Sequence, residues 1–192
     1  MIKKLTLCSA FLLMSASVAQ AAELAISFSD QSAQLALNQQ VGDYYEGRTL
    51  FGIRGLYNDR KDTELLSGSF DVLGPVGRTG LEIGAGIGLY YVNSSPGATN
   101  DEIAAGGIGA LVSFVPPDLP RLGFSVSVYY CPEIFNLMDG EGLWDAEVEA
   151  SYEIAPGAKA FATYTEIEAE IEDYRGDRTL DKTLRAGIAL SF

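Results

Sequence analysis

The chain has 192 residues, 26 acidic against 13 basic, for a formal net charge of −13. One domain is expected at this length, and so acidic a balance excludes a nucleic-acid partner, which needs a basic footprint. Histidine is absent, which removes Ser-His-Asp chemistry, Cys-His chemistry and histidine-ligated metal catalysis together.

Residues 1–21 read as a signal peptide. Lys3 and Lys4 precede an apolar run from Leu5 to Val18, and Ala19-Gln20-Ala21 fits the small-x-small cleavage rule. The single domain is then 22–192. Because the leader carries two lysines and no acid, its loss takes the net charge from −13 to −15. Leu7 is a poor residue before a lipidated cysteine, so Cys8 is read as leaving with the leader. Cys131 then stands alone and forms no intramolecular disulfide. No later stretch approaches the roughly 18 unbroken apolar residues of a spanning helix.

From there the chain is a series of alternating segments, taken in order. Glu23 to Gln40 is ambiguous: Ile26 and Phe28 alternate, then Leu35 and Leu37, with Ser29-Asp30-Gln31-Ser32 between. It reads either as a hairpin or as a plug or loose segment. Arg48–Asn58 puts Thr49, Phe51, Ile53, Gly55 and Tyr57 on one face. Thr63–Leu73 opposes Leu66, Phe70 and Val72 to Ser67, Ser69 and Asp71. Thr79–Asn93 opposes Ile83, Ala85, Ile87, Leu89 and Tyr91 to Glu82, Gly84, Gly86, Gly88 and Tyr90. Glu102–Val115 offers Ile108, Ala110, Val112 and Phe114. Arg121–Cys131 sets Phe124, Val126, Val128 and Tyr130 against Gly123, Ser125 and Ser127. Leu143–Ile154 sets Trp144, Ala146, Val148, Ala150 and Tyr152 against Asp145, Glu147 and Glu149. Ala158–Ala169 is noisier, with Phe161 and Ile167 set against Tyr164, Glu166 and Glu168. Thr179–Phe192 closes the series, with Leu184, Ala186, Ile188, Leu190 and Phe192 on one face.

Strict period-2 alternation is a strand signal, and each segment is long enough for a tilted membrane strand. Connections alternate between short and Pro-rich (Pro75, Pro116, Pro117, Pro120, Pro156) and longer and polar (Asn93–Asp101, Pro132–Gly142, Ile171–Asp181). Short periplasmic turns and longer outer loops have this rhythm. Tyr57, Tyr91, Tyr130 and Trp144 fall beside the outer loops, and Phe114, Tyr152, Phe161 and Phe192 near the periplasmic ends, as two interfacial girdles would. The expected fold is an all-β, transmembrane, antiparallel up-and-down barrel of ten strands, eight if Glu23–Gln40 is not a hairpin. A soluble lipocalin-like barrel shares the alternation. The clustered acids and small residues of the polar face favour a cramped lumen over a solvated exterior.

The opening Ile26-Ser27-Phe28-Ser29, the Gly84-Ala85-Gly86-Ile87-Gly88 run, the strand end Tyr129-Tyr130-Cys131-Pro132-Glu133 and the final Gly187-Ile188-Ala189-Leu190-Ser191-Phe192 together resemble the YfaZ family of small outer-membrane proteins. The resemblance implies a barrel in the outer membrane and no mechanism. The terminal strand, through Leu184, Ala186, Ile188, Leu190 and Phe192, resembles the signal read by the outer-membrane barrel assembly machinery.

If the apolar face meets lipid, Asp71, Glu82, Asp145, Glu147, Glu149, Glu166 and Glu168 point into the lumen, with Arg54 and Arg185 placed to join them and Arg48 and Arg121 near the periplasmic rim. Two readings follow: a packed ion network, or the acidic lining of a cation-preferring path. Glu147 and Glu149 share a face two residues apart, a spacing compatible with acid–base work, but no nucleophile accompanies them. The glycine run lies inside a strand and lacks the spacing of a nucleotide-binding loop. Its inward glycines would make room for neighbours such as Tyr90 or Glu82. Arg175-Gly176-Asp177 and Asp139-Gly140-Glu141 read as turns. The expectation is a monomeric outer-membrane barrel in contact with lipid, with a structural or interaction role, no catalysis, no cofactor and no metal. A narrow cation-preferring channel is the alternative.

Overall fold

The structure is a computed structural model and describes residues 22–44, 47–95, 101–138, 140–171 and 178–192. Residues 1–21, read from the sequence as a signal peptide, Asp139 and Arg175-Gly176-Asp177 lie outside the described residues. The strands are β1 (Ala22–Phe28), β2 (Ser32–Tyr44), β3 (Gly47–Asn58), β4 (Thr63–Pro75), β5 (Leu81–Ser94), β6 (Asp101–Phe114), β7 (Leu122–Cys131), β8 (Asn136–Met138), β9 (Gly140–Ala155), β10 (Ala158–Ile171) and β11 (Arg178–Ser191).

Ten of these are staves of a closed antiparallel barrel, each paired with its neighbour in sequence and β11 returning to β1. The eleventh, β8, caps β6: it pairs with Ile103–Ala105 where β7 has already ended. The ambiguous N-terminal stretch is therefore a full hairpin, β1–β2, and the barrel has ten strands. At the seam, the Ala22 N–H donates to the Phe192 carbonyl at 3.0 Å and the Phe192 N–H donates back at 2.9 Å. Each of the ten staves is paired on both sides, which is the requirement for a β-structure surrounded by hydrocarbon.

Local chemistry sets the turns. Ser29 Oγ accepts the N–H groups of Gln31 and Ser32 at 3.1 and 2.9 Å and closes β1–β2. The β4–β5 turn needs glycine at Gly80, where φ is +75° and an added Cβ would lie 2.0 Å from the Val115 carbonyl.

The faces sort as alternation demands. Leu66, Phe70, Ile87, Leu89, Ile108, Val148, Leu184 and Ile188 are exposed around the outside, while Asp71, Asp145 and Arg185 are buried inside. That inside-out distribution rules out the lipocalin-like alternative, whose apolar face would be interior. An exposed aliphatic belt on a closed antiparallel barrel is a lipid-facing surface, and the protein is an outer-membrane β-barrel. No helix among the described residues is long and apolar enough to cross a membrane.

Two expectations are corrected. The phase of β10 is reversed: Phe161, Thr163, Thr165 and Ile167 face the lumen, and Tyr164, Glu166 and Glu168 face outward. Its register puts Ile167, Thr165 and Thr163 opposite the lumen residues Asp145, Glu147 and Glu149, and Glu166 opposite Ala146. A one-residue change of phase exchanges the faces. Phe161 therefore leaves the periplasmic girdle for the interior. The connection Pro132–Gly142, read as polar, instead presents a single 3-10 turn (Glu133–Phe135) and β8, with Ile134, Phe135, Leu137 and Met138 all exposed.

Candidate functional site

The lumen is the site, and its two ends differ. Toward the loops that join β3–β4, β5–β6 and β10–β11, the inward positions are apolar. Leu56, Leu65, Val92, Ile103, Ala105, Cys131, Leu143, Ile167, Ala169 and Leu180 belong to one buried cluster that continues to Tyr90 and Tyr129, and five of these ten have no solvent contact. Beside it, against β1 and β2, lies a closed polar knot. Arg185 donates to Asp181 Oδ2 at 2.8 Å, to Ser32 Oγ at 3.0 Å and to Thr165 Oγ1 at 2.5 Å. Asn58 Nδ2 donates to Asp181 Oδ1 at 2.6 Å, and the Arg185–Asp181 ion pair is fully buried. Apolar cluster and knot occupy this end of the lumen.

Midway, Arg54 holds two acids, pairing with Asp145 and with Glu147, the latter at 3.4 Å. Tyr90 Oη donates to Asp145 Oδ2 at 3.0 Å. Tyr129 Oη and Ser69 Oγ donate to Asp71 at 2.5 and 2.8 Å. Small residues on β5 and β6 make this possible. A Cβ on Gly86 would fall 1.8 Å from Asp71 Oδ1, and one on Gly109 would fall 2.4 Å from the Tyr129 ring. A Cβ on Gly88 would likewise meet Tyr90 at 2.9 Å. Gly86 and Gly88 of the glycine run, with Gly109 of β6, are therefore spaces reserved for Asp71, Tyr90 and Tyr129.

Toward the turns the lumen is open. A cavity of about 530 Å³ reaches from Arg54 and Asp145 to Ala22, Val115, Pro120 and Arg121 at the turn end. Its charged lining includes Glu23, Asp71, Asp145, Glu147, Glu149 and Glu153, with Arg48, Arg54, Arg121 and Lys159. Lys159 pairs with Glu23 at 2.7 Å and Arg48 with Glu82 at 2.7 Å.

The expected lumen residues thus divide. Asp71, Glu82, Asp145, Glu147, Glu149, Arg54 and Arg185 face inward, but Arg185 belongs to the sealed knot and not to the cavity. Glu166 and Glu168 are on the outer wall. Glu166 there pairs with Lys182 at 2.5 Å and accepts from Tyr164 at 3.1 Å. Leu184, Ala186, Ile188 and Leu190 do share the outward face, opposite Phe28, Ile26 and Leu24 of β1 for the last three. Sequence reasoning missed Tyr129, although one more step of the Gly123-Ser125-Ser127 alternation reaches it. It also missed Asp181, Asn58 and Thr165, ordinary polar residues whose role depends on Arg185 across the barrel. Of the pair Glu147 and Glu149, Glu147 is held by Arg54 at 3.4 Å and accepts from Thr165 at 3.3 Å. Among the described residues no group of three or more side chains is arranged to hold a metal ion.

No protein-family model matches the chain, and no curated protein matches it. Among solved structures it is similar to the KdgM porin, with 11% identity over 90% of this chain and 99% of that one, at a TM-score of 0.43. It is similar to the outer-membrane channel DcaP of Acinetobacter baumannii at 10% identity and a TM-score of 0.43, covering 88% of this chain and 62% of that one. The translocator domain of the autotransporter NalP from Neisseria meningitidis is 13% identical, at a TM-score of 0.34, over 100% of this chain and 95% of that one. The closed strand pairing, not these likenesses, establishes the barrel.

Proposed function

We propose that this protein is a non-conducting, monomeric outer-membrane barrel with a structural or interaction role in the cell envelope and no catalytic activity. In this reading it is exported by the leader 1–21 and inserted by the barrel assembly machinery through its C-terminal strand, in keeping with the YfaZ resemblance of its sequence. The observation that carries the reading is the filled outer half of the lumen. Val92, Ile103, Ile167 and Leu180 are all 0% exposed, and a dry apolar layer of that kind is a barrier to ions.

The acidic inner cavity favours a second reading, a narrow cation-preferring path. Planar bilayers in a KCl gradient separate the two. The mature chain, shown to be folded by heat-modifiable gel migration, is expected to give no single-channel steps. Discrete steps with a cation-selective reversal potential would overturn the first reading in favour of the second. The assembly claim has its own check: deletion of Phe192 is expected to lower the amount of folded barrel in the membrane, and undiminished levels would remove the C-terminal strand from that role.

A further inference from the structure

The acids of the inner cavity are not all committed to the fold. Asp145, 3% exposed, gives Oδ2 to Arg54 and Tyr90 but leaves Oδ1 with no hydrogen-bond partner. Gln34, 7% exposed, likewise leaves Oε1 without one. Both side chains face the lumen, from β9 and β2, and both line the cavity. Two buried acceptors with no donor are a deficit that a bound N–H group would make good. Glu149 and Glu153 continue the same face of β9 toward the mouth, and neither is engaged in an ion pair or side-chain hydrogen bond among the described residues.

We propose that this cavity is a binding site for a linear polyamine that enters from the turn end. Alternate residues of a strand are spaced by about 6.8 Å, so Asp145, Glu147, Glu149 and, at the mouth, Glu153 form a ladder of acids rather than a cluster. Nitrogens joined by propyl or butyl spacers repeat on a comparable scale, and each ammonium brings several N–H donors to a carboxylate. The arrangement is unsuited to a single metal ion, for which ligands must converge. It is unsuited to an anion, because acids outnumber bases along the wall. The Tyr129 ring beside Asp71 adds an apolar flank for the methylene chain. The proposal rests on the reading of the barrel as blind toward its outer loops: a cup retains what a through-channel would pass.

The test is isothermal titration of spermidine into the full folded chain in detergent at low ionic strength. Saturable binding with one spermidine per barrel is expected, weakened about tenfold by Glu149→Gln and unchanged by Glu166→Gln, which removes the same charge from the outer wall. Glu153→Gln, at the mouth, is a second inward variant should Glu149→Gln fail to fold. Absence of saturable heat, equal weakening by inward and outward variants, or full displacement by magnesium chloride at matched ionic strength would overturn the proposal. Bilayer conductance is read separately. A conducting barrel that still bound spermidine would refute the blind cup and leave the site, whereas a silent barrel that bound none would do the reverse.

Discussion

The two halves of the lumen are built from the same ten strands by the same alternation, yet they behave as different materials. In the outer half the inward groups are largely apolar, and the charges among them are paired, as in the Arg185–Asp181–Asn58 knot. In the inner half acids outnumber bases, acceptors stand open and water has room. The difference shows that a β-barrel wall can change character along its axis without any change in secondary structure, because each stave contributes one inward residue per level. On β5 the inward series runs Glu82, Gly84, Gly86, Gly88, Tyr90, Val92: charge, then space, then a polar aromatic, then a dry side chain.

That contrast predicts unequal tolerance to substitution. The largest effect is expected from Arg185→Ala. It strands Asp181 as a buried, unpaired carboxylate and should cost about 3–5 kcal/mol of folding free energy, measured by urea titration of folding into lipid vesicles with Trp144 fluorescence. The double variant Arg185→Met with Asp181→Leu should recover most of that loss. If it does not, the knot holds the outer half together by more than charge pairing. Next, Ile167→Ala inside the apolar cluster should cost about 2–4 kcal/mol because the plug cannot collapse around the cavity. Leu89→Ala on the outer wall, where acyl chains fill the gap, should cost distinctly less. Equal costs would mean that the plug is loosely packed. The smallest effect belongs to Glu149→Gln, within about 0.5 kcal/mol, since that side chain supports nothing in the fold. A large loss there would erase the distinction between the two halves.

Much of this architecture was legible in the residues. Period-2 alternation located eight of the ten staves, and the alternating arms on either side of Ser29-Asp30-Gln31-Ser32 offered the other two, β1 and β2, as one of two readings. What alternation could not supply was phase where both faces of a strand are mixed. On β10 the inward set Phe161, Thr163, Thr165, Ile167 and Ala169 is hardly more polar or apolar than the outward set Ala160, Ala162, Tyr164, Glu166 and Glu168. The phase is decided by neighbours: Arg185 needs Thr165 inside, and Lys182 meets Glu166 outside. The apolar plug was hidden for a related reason. A polar interior is the general rule for membrane barrels, and Val92 and Ile103 break it as a cross-strand pair of β5 and β6 that is buried in one cluster with Leu180, far away in sequence. The β7–β9 connection misled in the opposite sense: Pro132, Glu133, Asp139 and Glu141 mark a loop, but the four apolar residues between them lie on the outer surface, where Phe135 rests against Gly106 of β6.

Cys131 sits inside the plug with no solvent contact and no disulfide partner. Its thiol is therefore a natural clock for the breathing of the barrel. A reagent in either compartment can reach it only when the packed layer momentarily parts, so the pace of its modification is set by the free energy of that local opening, and the protein carries its own gauge of how firmly one side of the membrane is shut off from the other.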